Sequence, residues 1–291
     1  MNFVNWLMSI VFDVILTPFE LLGTEAALIL LSGIFGIACL IAFKFISWQG
    51  GIKAVKDKIK GNMIAIRIYQ DDLAVVFKSV VAVFLRNFQY LALNFGPILP
   101  LLAPFALVLA QFVVRYGYEP LEVVTQEQAQ AMMPGEGTNL WVKLKSGFEG
   151  DASQMHFDLP EGLYKLTDEA HSASEGFLTV EVVAIKPFAG EIQVRMGAEV
   201  VATKAIVAGD HEQRTRLMQG ERVSGFWASW LYPAEDRFDA ACPVESISFV
   251  YPARQLAIPF MPAGELGILL IFFIASMLFG VAVLKPLNIT I

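Results

Sequence analysis

Three uninterrupted apolar runs limit what this chain can become more than any other feature. The run at 26–45, "AALILLSGIFGIACLIAFKF", carries no charge before Lys44; that at 90–114 is bounded by Arg86 and Arg115; that at 264–284 stops at Lys285 and Pro286. Each reaches the roughly 20 residues that a helix needs to cross about 30 Å of hydrocarbon. Lipid offers the backbone no hydrogen-bond partners, so such runs must satisfy their own amides, and we expect three transmembrane helices at these positions. Composition agrees: 56% of residues are hydrophobic and 17% charged, where a soluble domain carries about a quarter.

The segment at 1–22 is apolar in a different way. No Lys or Arg precedes Lys44, so the basic start of a secretory signal is missing. Asn5, Ser9, Asp13 and Thr17 recur at every fourth position and Glu20 follows three later, which draws one polar stripe along an otherwise apolar helix. Two carboxylates and Pro18 are costly inside lipid. The expectation is an interfacial amphipathic helix that ends near Pro18, with its stripe toward water or headgroups.

Cations set the expected orientation. The connection at 46–89 holds Lys53, Lys56, Lys58, Lys60, Arg67, Lys78 and Arg86 against Asp57, Asp71 and Asp72, whereas the region after Tyr116 is rich in Glu and Asp. This predicts a cytoplasmic connection, an extracytoplasmic N-terminal helix and acidic domain, and a cytoplasmic C-terminus, in a bacterial inner (cytoplasmic) membrane. Gly50-Gly51 and Gly61-Asn62 would break the connection into a helical hairpin, whose long second limb is mostly apolar. Between 120 and 252, "LWVKLKSGF", "GFLTVEVVAIKPF", "GEIQVRMGAEVVATKAIVAG" and "VESISFVYP" alternate and are rich in β-branched residues. They predict an antiparallel β-sandwich-like domain. "VTQEQAQAMMPGEGTNL", before the first of them, is expected to be a loop.

Chemistry-bearing motifs are sparse. His156, His171 and His211 show no metal-ligand spacing in sequence, and Cys39 and Cys242 have no ligand neighbours. No nucleophile elbow, phosphate loop or basic nucleic-acid patch occurs, so neither an enzyme nor a cofactor, metal or nucleic-acid partner is expected. "NIT" at Asn288 matches a glycosylation sequon but falls at the end expected in the cytoplasm. Pro97, Pro100 and Pro104 are the most informative intramembrane residues, because each removes a backbone donor and frees a carbonyl. With Asn94 and Gln111 they would line a hydrated groove, or they are kinks fitted to a neighbouring helix. Lys44, Arg86 and Asn87 would stand at its cytoplasmic mouth, or simply anchor the span ends.

The order of elements resembles the Oxa-type insertase superfamily, which includes bacterial YidC, archaeal three-span homologues and the insertase subunit of the ER membrane complex. "FDVILTPFELL" leading into "GTEAALILLSGIFGIACLIAFKF" is similar to that family's outer amphipathic helix and first core span. The basic connection stands where the family has a coiled-coil hairpin, and "FGPILPLLAPFALVLAQF" resembles its proline-containing span. The likeness covers about residues 1–118 and the last span. It implies insertion or chaperoning of membrane proteins, with the bilayer and other membrane proteins as partners. Two departures qualify it: no Arg lies within the first core span, and a whole β domain separates the second span from the third. They leave room for an alternative, a non-catalytic scaffold subunit of an envelope complex that docks through the β domain.

Overall fold

The computed structural model describes residues 3–210 and 215–287. The chain divides into two compact units, Met1–Ala27 with Leu107–Leu270, and Leu28–Ala106 with Ile271–Ile291. Among the described residues three helices have the length and hydropathy to cross a membrane: α2 (Thr24–Ile46), α4 (Leu73–Tyr116) and α6 (Gly264–Val283). The chain is therefore a membrane protein carrying antiparallel β-sheets.

In the helical unit, α3 (Gln49–Ile68) joins α4 through a short turn at 69–72. The expected break at Gly61-Asn62 is absent; the helix runs through both residues. The real break is made by Asp72, whose Oδ1 accepts from the backbone N–H groups of Ala74 and Val75 at 3.0 and 3.2 Å. That carboxylate satisfies donors that no earlier turn can reach, which is what an N-cap does. From there α4 continues for 44 residues, about 66 Å, so hairpin limb and span are one helix and Pro97, Pro100 and Pro104 lie inside it. Lys56 Nζ sits 5.8 Å from the centre of the Tyr90 ring, so the limbs touch. Between α2 and α6 the contact is close enough to need glycine: a Cβ on Gly36 would fall 2.2 Å from the Ser276 carbonyl oxygen. Small residues serve this purpose in membranes, where van der Waals contact replaces the hydrophobic drive.

The other unit includes α1 (Phe3–Glu20), which ends two residues after Pro18, close to the expected end. Its β domain has a six-stranded sheet, in the order β3 (Leu163–Lys165), β5 (Phe177–Ala184), β1 (Thr138–Leu144), β9 (Val244–Ser248), β8 (Glu221–Val223), with β4 (Ala170–Ser172) also paired to β5. A three-stranded sheet follows the order β2 (Met155–Asp158), β6 (Phe188–Met196), β7 (Glu199–Ala208). Every ladder is antiparallel. Leu140, Val142 and Leu144 point inward while Trp141 and Lys143 point out, the period of two that the sequence displays. One hydrophobic cluster gathers these with Val180 and Ile247 of the larger sheet and Ile192, Val194 and Ile206 of the smaller. Each such side chain contributes about 1.5–3 kcal/mol when fully buried. The segment expected as a loop before β1 contains a short helix, α5 (Gln126–Ala131), closed by a reciprocal capping box between Thr125 and Gln128.

Candidate functional site

An open cavity of about 390 Å³ lies among α2, α4 and α6 of the helical unit. Asn94, Ile98, Leu101 and Phe105 line it at helical spacing along one stripe of α4, with Cys39 from α2 and Met277 from α6. Its wall is almost wholly apolar; the polar exceptions are Ser276, whose hydroxyl donates to the Phe273 carbonyl, and Asn94. The amide is buried; Nδ2 donates to the Tyr90 carbonyl one turn back at 2.8 Å, and Oδ1 has no partner among the described residues. Leaving such an acceptor buried costs on the order of 1–3 kcal/mol, so a donor entering the groove would find a partner waiting.

The other residues expected in this groove are placed elsewhere. Pro97, Pro100 and Pro104 occupy neighbouring faces of α4 and do not line the cavity; Pro97 is buried, whereas Pro100 and Pro104 are exposed. They still leave the carbonyls of Leu93, Gly96 and Pro100 without an intrahelical donor. Gln111 does not line this cavity. Of the residues expected at the mouth, Lys44 donates to the Leu287 carbonyl at 2.7 Å, Arg86 to Gln89 Oε1 at 2.6 Å, and Asn87 to the Val83 carbonyl at 3.0 Å. Arg86 and Asn87 thus bond within their own helix, and none of the three lines the cavity.

Gln111 enters a polar cluster that sequence reasoning missed. Its Nε2 donates to Ser9 Oγ at 3.3 Å, and Arg115, with a side chain 1% exposed, reaches the Ser9 carbonyl at 3.2 Å and Asp13 Oδ1 at 2.6 Å. Arg216 joins from the β domain at 3.2 Å from the same Asp13 oxygen, and Tyr116 donates to Glu20 at 2.9 Å. At the start of the helix Asn5 donates to the Ser229 carbonyl at 2.7 Å. The stripe of α1 is therefore engaged by protein: Asn5 and Ser9 are buried, while the more open Asp13, Thr17 and Glu20 are met by Arg115, Arg216 and Tyr116. Among the large apolar side chains that α1 shows to its surroundings are Trp6, Leu7, Ile10 and Val14. The polarity is inverted relative to a helix on a soluble core. The fourfold spacing marks the stripe correctly, but its inward or outward sense depends on whether a cation meets it. In the sequence Arg115 marks only the end of a span.

A second constellation lies in the β domain. Contact between the two sheets brings His156 of β2 and His171 of β4 to Glu169, with His156 Nδ1 at 3.1 Å and His171 Nε2 at 4.0 Å from Glu169 Oε2. The sequence spacing gives no metal motif, yet among the described residues these three could together hold a metal ion. Burial raises the Glu169 pKa, but hydrogen bonds from Lys165 and His156, the Lys165 charge and the Phe157 N–H outweigh it and hold the carboxyl below its ordinary value. His211 and Asn288 lie outside the described residues.

No family model matches the chain, and neither curated proteins nor solved structures gave a match.

Proposed function

We propose that this protein receives apolar segments of other membrane proteins in its three-helix groove, acting in their insertion or chaperoning on an Oxa-type-like scaffold. The observation that carries this reading is the open apolar groove with a single buried amide acceptor, Asn94 Oδ1. An apolar wall gives a client helix a surface like lipid, and one acceptor receives a Ser, Thr or Asn that lipid would leave unpaired. This differs from a water-filled channel; the groove suits side chains rather than bulk water. The orientation proposed with it puts the cation-rich α3 and the first part of α4 in the cytoplasm of a bacterial inner membrane. The β domain, sandwich-like, then lies outside with α1 at the outer surface.

A scaffold-subunit reading has its own support. Phe77, Phe84 and Phe88 of α4 are all exposed, and Phe77 is 73% so, which makes an apolar surface that a permanent neighbour could cover. Arg115 is also committed to Ser9 and Asp13 instead of being offered to a client.

One experiment separates the two. A photoreactive residue placed at Ile98 or Met277 is activated in cells after a short radioactive pulse. Insertion predicts crosslinks to many newly made membrane proteins that fade during the chase. A single crosslinked partner that persists through the chase replaces this reading by the scaffold one, and crosslinks to lipid alone overturn both.

A further inference from the structure

We propose that His156, Glu169 and His171 bind a divalent transition-metal ion of the zinc class on the β domain. Tetrahedral zinc with bonds near 2.1 Å sets its ligand atoms about 3.4 Å apart. Here His156 Nδ1 and His171 Nε2 stand 3.1 and 4.0 Å from Glu169 Oε2, and the three ligand atoms all lie within 4.8 Å of one another. Closing the set asks the ligand atoms to draw together by about 1 Å, a shift within reach of imidazole rotation. His171 must give up its 2.8 Å bond to the Met155 carbonyl, and protons on the ligating nitrogens leave to solvent as the ion enters.

Glu169 is already oriented for the task. Its Oε1 takes the Lys165 ammonium at 2.5 Å and the Phe157 N–H at 3.2 Å, which leaves Oε2 turned to the histidines. Ligating carboxylates are normally held by such outer contacts. Two imidazoles with one carboxylate select zinc, cobalt, nickel or copper over calcium or magnesium, which take oxygen-rich sets. Entry is open, because the His156 side chain is 64% exposed while that of Glu169 is 11% exposed. Three protein ligands leave further coordination to water or to a passing donor, so the ion is exchangeable.

The location gives the ion mechanical work. His156 lies on a four-residue strand of the smaller sheet and His171 on a three-residue strand of the larger. Short strands hold few ladder bonds, and a metal tie between them braces one sheet to the other. An ion pair accounts for Lys165 and His156 around Glu169 and the Met155 bond holds His171, so these contacts place the three ligand atoms within 4.8 Å of one another before any ion enters. Lys165 itself opposes a cation, and that makes it diagnostic.

The test uses the full, tag-free chain in detergent, stripped with chelator and titrated with cobalt(II), whose visible spectrum reports coordination, followed by displacement with zinc. We expect one equivalent to bind. Glu169→Gln and His171→Gln should each weaken binding at least about tenfold, whereas Lys165→Met should strengthen it. Zinc should raise the Tm of the wild type and leave that of His171→Gln unmoved, with far-UV circular dichroism checking that each variant folds. Cobalt binding unchanged in all three variants, or no cobalt spectrum in the wild type, overturns the proposal.

Discussion

Asp13 and Arg115 hold one another 2.6 Å apart, and the arginine side chain is almost fully enclosed. A guanidinium in that position needs its partner far more than a surface cation would. Replacing Asp13 by Leu would ease contact with lipid if the stripe faced outward; with the stripe facing protein it strands Arg115. Breaking a buried pair costs about 3–5 kcal/mol, and the lower end applies because Asp13 keeps 40% of its side-chain exposure. Thermal unfolding in detergent should show Asp13→Leu strongly destabilised and the double variant Asp13→Leu/Arg115→Met partly restored; additive losses would remove the pair from the account. Glu169 supplies a pH effect of definite sign. Its folded pKa lies below the ordinary 4.5, so its contribution is present above about that pH and is lost as pH falls through the lower folded value. Stability of the wild type should therefore drop more steeply on acidification below pH 4.5 than that of Glu169→Gln, as measured by denaturant melts. Single residues were the least legible scale. Asn94 stands out in the sequence as an amide in an apolar run, but the partners of Asp13 and the meeting of His156 with His171 depend on long-range pairing that no local pattern encodes.

At the scale of elements, two glycines test what the helices need. Gly36 meets the Ser276 backbone of α6, so Gly36→Ala should force the helices apart at a cost of about 1–3 kcal/mol. Gly61 sits within α3 with no atom inside 4 Å of the place an added methyl would take, so Gly61→Ala should stabilise the helix by about 0.5–1 kcal/mol. Thermal melts of the two variants should move in opposite directions; a shared sign would contradict the close α2–α6 contact. The same two glycines show how far the sequence reaches. Long apolar runs predict α2 and α6 within a few residues, because hydrocarbon tolerates no other structure there. Gly61-Asn62 suggests a break, but a glycine costs a helix only about 1 kcal/mol and its neighbours carry it through. The true stop, Asp72, is a cap signal that closes the short polar stretch Gln70-Asp71-Asp72 between two apolar helical patterns. Among strands, β1, β5, β6, β7 and β9 are legible from alternation, while β2, β3, β4 and β8 have three or four residues, too few to show a period. The turn between β6 and β7 is marked by Gly197, which takes φ of +61°.

For the whole molecule, cysteine labelling tests the proposed topology. With Cys39 and Cys242 replaced by Ser, single cysteines at Lys53 and Ser174 are treated in intact cells with a reagent that cannot cross the membrane. Only the second should react; labelling at the first reverses the orientation. Three spans and an attached β domain are readable because both follow from composition over long windows, whereas the division into units is not. The end of α4 and the whole of α1 belong with the β domain through Arg115, Arg216 and Ser229. That inward stripe also imposes an order in time. Ser9 waits 106 residues for Arg115, Asp13 waits 203 for Arg216, and Asn5 waits 224 for Ser229. At about 5–20 residues per second, a ribosome takes roughly 10–45 s to make the last of these partners. Through that interval the polar side of α1 lacks its full set of protein partners, and only when the β domain has followed it can α1 take its final place.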